Sequence, residues 1–421
     1  MDGALIMDGL LDFVFYYPLF MAYLWMIGGI YYYFHWERPV GRGPNEPPEL
    51  AEHPMVSILI PCFNEGENVR ETIAWAAAQA YPNFEIIAID DGSSDDTGAV
   101  LEELRSSHPR LRVLHHASNQ GKGMGLRTGA LAARGEYLVC IDGDALLDPY
   151  ATTWMVHHFL SGSRVGAVTG NPRIRTRSTL LGKIQVGEFS AIIGLIKRTQ
   201  RIYGRVFTVS GVVAAFRKTA LHEIGYWSTD MVTEDIDVSW GLQSRHWDVH
   251  YEPNALCWIL MPETLRGLWR QRLRWAQGGV EVARKYAASL FSWRKRRMWG
   301  VLVEHFLSVT WAYLMAATLL LWGAGQIWTI PEPFYVRTIL PEWYGVVLGF
   351  TCLLQFATSL TIDGRYEKGL ARNYYWIVWY PIAFWVINMA TTVVAVPKAL
   401  LKRRGTRAVW VSPDRGLRAT S

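Results

Sequence analysis

Asp142 and Asp144 stand one residue apart in "DGD", directly after the apolar run "YLVCI". Carboxylates so spaced on a loop can share a divalent cation, and a magnesium or manganese ion held by few protein oxygens keeps positions for a diphosphate. The continuation "DGDALLDPYATT" lacks the further oxygen ligands and the glutamate at the twelfth position that a calcium loop of the EF-hand type needs. Asp91, in "IDDGSSDD", ends a second apolar run, whereas Ser93, Ser94 and Asp95 read as a turn and the cap of the next helix. A third acidic group, "TEDID", contains Glu234, Asp235 and Asp237. Its acids suit the positive end of a helix, and equally suit a general base that deprotonates a hydroxyl nucleophile; spacing leaves both open.

Lys122 lies in "NQGKGMGLRTGA" ahead of a helical pattern. The glycines fit neither GxGxxG nor GxxxxGK[ST], so a phosphate contact and an ordinary solvated lysine stand side by side. In "LWRQRLRWAQGG", Gln271, Arg274 and Trp275 share one helix face and present amide, guanidinium and indole together, a patch for something flat, polar and anionic.

The elements that must position these groups follow from hydrophobic pattern. "VSILIPCFNE", "FEIIAIDDGSSDD", "RLRVLHH" and "EYLVCIDGDALLD" are apolar runs that end in polar clusters, and a helical pattern covers Asn68 to Gln79 between the first two. Strands of this kind alternating with helices indicate a parallel sheet covered on both faces, with ligands bound at its carboxyl edge. Every polar cluster named above except those of "TEDID" and the 268–279 helix falls at such an edge.

Half of the 421 residues are apolar and 20 are tryptophan. Phe13 to Phe34, Phe306 to Ile330, Trp343 to Ile362 and Tyr374 to Val396 are each long enough to cross a bilayer, and Trp and Tyr flank them as at headgroup depth. The first lacks a basic leader and a small-residue cleavage site, which marks it as an anchor. Asp2, Asp8 and Asp12 precede it while Arg38 and Arg42 follow, so the positive-inside bias puts the next domain in the cytoplasm. The prolines and polar residues of "ERPVGRGPNEPPELAEHP" make a linker. Basic clusters at Arg294 to Arg297 and Lys398 to Arg407 adjoin spans and read as membrane-surface anchors in preference to a nucleic-acid patch. Four cysteines without CxxC spacing suggest neither a zinc site nor a disulfide framework. Three spans after the domain would leave the basic tail outside, against the bias; either one segment fails to cross, with Pro381 marking a break, or the tail violates the rule.

In order, "PCFNE", "DDGSSD", "DGD", "TED" and "QRLRW" resemble the processive family 2 glycosyltransferases, which make cellulose, chitin, hyaluronan and poly-N-acetylglucosamine. Through "VFTVSGV" and "ALCWILMPETLRGLWRQRLRWAQGG" the resemblance is closer to the bacterial synthases of poly-β-1,6-N-acetyl-D-glucosamine. It implies a cytosolic GT-A domain, α/β and Rossmann-like, joined to transmembrane and interfacial helices. The implied division is an anchor over 1–36, a linker over 37–54, the GT-A domain over 55–262, interfacial helices over 263–299, spans over 300–397 and a basic tail over 398–421.

By the same resemblance Pro61, Asn64, Glu65 and Asp91, with Lys122 and Asp142, surround a UDP-sugar, UDP-N-acetylglucosamine in the closer match. Asp142 and Asp144 hold Mg2+ or Mn2+, Asp235 beside Glu234 is the catalytic base for an inverting attack, and Gln271, Arg274 and Trp275 meet the acceptor sugar and the diphosphate. Indole and guanidinium suit a pyranose face and a phosphate respectively. Implied partners are the growing polysaccharide, membrane lipid, and a small second membrane subunit with cyclic-di-GMP between the two. Spans rich in aromatics, including Trp311, Tyr313, Trp376, Trp379 and Trp385, offer stacking surfaces for a polymer on its way across the bilayer. A chitin, hyaluronan or cellulose synthase is an alternative within the family. A non-processive transferase to a lipid phosphate is disfavoured by "QRLRW", and a nucleotide-binding regulatory subunit by the retained acids.

Overall fold

A computed structural model describes residues 3–336, 342–378, 380–403 and 405–408. The chain begins with α1 (Gly3–Tyr32), a π-helical turn over Tyr33–Glu37 and the short α2 (Arg38–Val40). The α/β part then runs β1 (Val56–Cys62), α3 (Val69–Ala77), β2 (Phe84–Asp90), α4 (Thr97–Ser107), β3 (Leu111–His115), α5 (Lys122–Ala132), β4 (Tyr137–Ile141), β5 (Leu146–Leu147), α6 (Ala151–Ser161) and β6 (Val165–Ile174). A continuous helix follows: α7 (Leu180–Phe189), a π-helical stretch Ser190–Ile196 and α8 (Lys197–Ile202). After β7 (Val213–Arg217), α9 (Lys218–Ile224), α10 (Glu234–Ser244) and β8 (Asp248–Ile259), the chain enters α11 (Leu265–Leu290).

β1, β2 and β4 are buried along their whole length, which is why their sequences are unbroken apolar runs and not alternating ones. The sheet has the order β3-β2-β1-β4-β7-β6-β8-β5. Its first four strands are parallel as expected, but β7 is antiparallel to both β4 and β6, and β5 to β8. The sheet is therefore mixed, correcting the all-parallel expectation. The cause is that the chain re-enters from the carboxyl edge, with Val213 opposite Ile141, the last residue of β4.

Among the described residues, four helical stretches are long and apolar enough to cross a membrane: Met7–Val40, Trp293–Gly325, Tyr344–Asp363 and Phe384–Leu401. They overlap α1, α12 (Trp299–Gly325), α13 (Glu342–Asp363) and α15 (Tyr380–Leu401). The segment expected over Tyr374 to Val396 is not one span. After a 3-10 turn over Leu370–Asn373, it divides into α14 (Tyr374–Ile377) and α15, and the break between them falls just ahead of residue 381, a proline near the start of α15.

α15 runs beside α11 in the same direction. Near its start the Arg272 guanidinium of α11 lies 5.9 Å from the Phe384 ring, and at its end Arg284 donates to the carbonyls of Ala399 and Leu400 at 3.1 and 2.9 Å. Beyond it, Lys402 Nζ bonds the Asp230 carbonyl at 2.8 Å and Glu281 at 2.9 Å, and the Ala408 amide donates to the Thr229 carbonyl at 2.9 Å. The basic tail thus lies on the α/β domain. Arg407 also bonds Gln120.

Charges buried between the two regions lock them together. Arg198, wholly buried on α8, lies 2.5 Å from Glu37 and 2.9 Å from Asp363 at the end of α13. Arg173 of β6 meets Asp363 at 2.8 Å and Glu367 at 3.1 Å, and Tyr366 donates to Glu37 at 2.7 Å. Gly28 permits the approach of α1 to α8, since a Cβ there would meet Thr199 at 2.5 Å.

Candidate active site

The carboxyl ends of β1 and β2 are tied to each other by their own loops. Asn64, held at φ 56°, donates its amide to Ser93 Oγ and accepts from the Ser94 amide at 2.8 Å. Glu65 is buried, and its amide donates to Thr97 Oγ1 at 2.8 Å; Pro61 sits within β1 opposite Ile89. Asp95 accepts from the amides of Gly66 and Thr97, the turn-and-cap part its sequence context indicates. Asp91 is fully buried and accepts from the Gln120 and Gly121 amides at 2.9 and 2.8 Å, with His116 Nδ1 at 2.7 Å. Asp91 therefore fixes the loop that leads to Lys122. His116 was missed in the sequence, although "RLRVLHH" puts it at the same sheet edge as the acids.

Lys122, first residue of α5, is not a solvated lysine. Its Nζ lies 2.7 Å from Asp142 and 3.0 Å from Glu234, and it donates to the Gly211 carbonyl at 3.0 Å. Burial opposes its charge, but Asp142 and Glu234 outweigh that and hold the ammonium well above the usual lysine range. One cation thus joins the "DGD" loop to the "TED" helix start.

Burial, and then the charge of Asp142, push the Asp144 carboxyl up to about 7. A buried carboxyl raised by the charge of its neighbour is the situation a divalent cation relieves. Among the described residues no three His, Cys, Asp or Glu groups gather to hold a metal, so these two oxygen donors fit an ion completed by phosphate oxygens and water.

Glu234 and Asp235 open α10 after Thr233, at the end of the helix where partial positive charge accumulates. Burial, and then the neighbouring Glu234, raise Asp235 to about 6; Lys122 and Arg274 pull the other way. For Glu234, burial is outweighed by Lys122 and Arg274, which keep its carboxyl below the usual range. Asp237 pairs instead with Lys285 at 2.6 Å, a structural contact.

α11 is a single 26-residue helix that begins behind Thr264, whose hydroxyl accepts from the Gly267 amide. Arg274 is exposed and its charge acts on both Glu234 and Asp235. Gln271 Oε1 is buried without a hydrogen-bond partner. Trp275 is half-buried, its ring 6.4 Å from Phe189 and 4.3 Å from the Arg272 guanidinium. Arg272, which the sequence pattern left without a role, pairs with buried Glu188 at 2.8 Å. Toward the start of the same helix Leu265 and Trp269 are exposed, but Leu268 is buried. Position 278 must be glycine for α11 to lie against the "TED" loop: a Cβ there would meet Thr233 Oγ1 at 2.0 Å.

Within the membrane part, α1, α12, α13 and α15 enclose a cavity of about 200 Å³, with Tyr17, Trp311, Gln355, Tyr380, Trp385 and Asn388 among its walls. Phe384 also lines it, and Arg272 lies between that ring and Trp275. Of the other aromatics named from sequence, Tyr313 donates to the Val393 carbonyl, Trp376 carries Lys183 at 4.5 Å, and Trp379 lies outside the described residues.

An α/β sheet with acids gathered at its carboxyl edge and a helical membrane part define a membrane-bound glycosyltransferase of the GT-A type. The family described as "Glycosyltransferase like family 2" matches residues 53–278. Over 411 residues the chain is 40% identical to the poly-beta-1,6-N-acetyl-D-glucosamine synthase of Staphylococcus epidermidis, covering 96% of this chain and 98% of that protein. It is 39% identical over 407 residues to the Staphylococcus aureus (strain COL) protein of the same name, with the same coverage. A mannosyltransferase from Pyrobaculum calidifontis, solved with GDP-Man and Mn2+, superposes with a TM-score of 0.64 at 20% identity, over 95% of this chain and 99% of that one. The chain belongs to family 2 of the glycosyltransferases.

Proposed function

We propose that this enzyme polymerises N-acetylglucosamine from UDP-N-acetylglucosamine into a β-1,6-linked chain and passes the product across the cytoplasmic membrane to an extracellular, biofilm-type matrix. The observation that carries the reading is Lys122, whose contacts to Asp142 and Glu234 set the donor-diphosphate loop against the start of α10, where Asp235 stands. The names of the relatives support the choice of sugar and linkage.

In this reading Pro61, Asn64, Glu65 and Asp91 border the nucleotide, and Lys122 faces its phosphates. Asp142 and Asp144 would hold Mg2+ or Mn2+, which when bound neutralises diphosphate charge on the leaving group. Asp235 takes the proton from the acceptor hydroxyl as that oxygen attacks the anomeric carbon, and the configuration inverts. Lys122 and Arg274 keep the adjacent Glu234 ionised, so that it neither donates nor competes for that proton. Trp275 offers its ring to the acceptor sugar, Gln271 its unpartnered oxygen to a hydroxyl, and Arg274 its fork to phosphate.

The membrane cavity, with Phe384 one guanidinium away from Trp275, gives the product an onward path. In this topology the N-terminus is outside, α1, α12 and α13 cross, and α15, which starts on the cytoplasmic side after α13, does not cross and leaves the tail there, in keeping with the positive-inside bias. A small second membrane subunit, with cyclic-di-GMP between the two, completes the active complex.

The test supplies radiolabelled UDP-N-acetylglucosamine and magnesium to membranes bearing the chain, with and without that subunit. Polymer cleaved by a β-1,6-specific hexosaminidase and resistant to chitinase is the expected product. Chitinase-sensitive polymer would replace the named product, and a single sugar on lipid would replace processive synthesis.

A further inference from the structure

Away from the catalytic edge, Arg164, His246 and Asp248 of the α/β domain and Arg294, Arg296 and Arg297 of the 3-10 turn Trp293–Met298 line a cleft of about 460 Å³. Asp248 is already engaged by Arg205 at 3.0 Å. Among the described residues none of the four lining arginines pairs with a carboxylate, and Asp248, the one acidic residue in the lining, is taken by Arg205, so the cleft carries a net excess of positive charge. Two of these arginines are braced by rings: Arg164 lies 5.4 Å from Trp247, and Arg296 5.1 Å from Trp293. Arg164 also donates to the His246 carbonyl, which orients its guanidinium from the domain side.

Guanidinium groups held this way match the oxygens of a phosphate. The location specifies where that phosphate comes from. The 3-10 turn leads straight into α12, a membrane-length helix, and Trp293 at its start and Phe291 just before it are 68% and 77% exposed, as aromatics at headgroup depth are. We propose that the cleft binds the phosphate of an anionic phospholipid headgroup, with the acyl chains lying along the exposed aromatics. The domain end of β6 and β8 is thereby moored to the leaflet through Arg164 while the 3-10 turn is held from the membrane side. The site rests on the membrane placement described above and is independent of which sugar is polymerised.

The experiment uses the full-length chain in detergent, titrated separately with phosphatidylglycerol and phosphatidylcholine, and reads retained lipid by native mass spectrometry. Preferential retention of phosphatidylglycerol is expected. In Arg164→Gln/Arg296→Gln/Arg297→Gln that preference should fall by on the order of a hundredfold, since each basic residue near a bilayer surface contributes roughly a factor of five. Equal retention of both lipids by the unaltered chain, or an undiminished preference in the variant, overturns the proposal. Displacement of phosphatidylglycerol by equimolar inorganic phosphate assigns the cleft to a soluble anion and also overturns it. Should the triple variant lose its thermal transition, Arg297→Gln alone is compared with Lys295→Gln, which lies outside the cleft lining; only the former is expected to lower the preference. Polymer synthesis, assayed in parallel, reports on the proposed activity without deciding the lipid site.

Discussion

Gly278 of α11 abuts Thr233, the residue that introduces Glu234 and Asp235 on α10, closely enough that a Cβ at 278 would lie 2.0 Å from Thr233 Oγ1. The helix carrying Trp275 is thereby registered against the start of α10, which carries the proposed base, Asp235. Gly278→Ala should move one off the other and lower polymer formation by about a hundredfold, the usual consequence of displacing reacting groups by about 1 Å. Nucleotide binding, followed with a fluorescent UDP analogue, should be unchanged; a matching loss of both would show that the whole domain had been disturbed.

Asp235→Asn is expected to remove transfer by a factor of about 10² to 10⁴, the range for a lost general base, with donor binding retained. Loss of UDP binding together with activity would overturn the base assignment.

The pH dependence follows from the same residue. Burial and Glu234 raise Asp235 to about 6, and the carboxyl must be deprotonated to accept the hydroxyl proton. The rate should level off above pH 6 and fall as pH drops through it. A pH–rate profile on membranes, at saturating donor, checks this; a flat profile down to pH 5 would exclude Asp235 as the titrating group.

Chelation should stop transfer, and Mg2+ or Mn2+ should restore it. Asp144→Asn leaves the Asp142 carboxylate as the one acidic donor of the proposed pair and should raise the metal concentration needed for half-maximal rate, read from a metal titration. An unaltered requirement would place the ion elsewhere.

Asp363→Asn removes the acceptor shared by Arg198 and Arg173, leaving both buried guanidiniums short of a counter-charge. Roughly 3 kcal/mol of destabilisation is expected. Thermal melting in detergent should show a lowered midpoint, while UDP binding at low temperature persists.

Much of the site was legible because strands buried on both faces announce themselves as apolar runs, and the acids at their ends then mark one edge: Asp91, Asp142 and Asp144 all stand there. What could not be read depends on pairs far apart in the chain. Whether Lys122 is solvated turns on Asp142 and on Glu234, which no local pattern brings near. The direction of β7 is set by where the chain re-enters after α8, and the path of α15 by Arg272 and Arg284 on α11. Leu268 and Leu265 share a helix with identical chemistry; only the tertiary partner decides that one is buried and the other exposed.

The charge cluster around Arg198 also constrains biogenesis. Glu37 is made early, and Arg198, its counter-charge, is separated from it by 161 residues and Tyr366, which donates to it, by 329. Closure of so long a loop comes late in assembly and makes the nascent anchor dependent on partial partners until then. A chain that stops before α13 is complete leaves the buried Arg173 and Arg198 without Asp363.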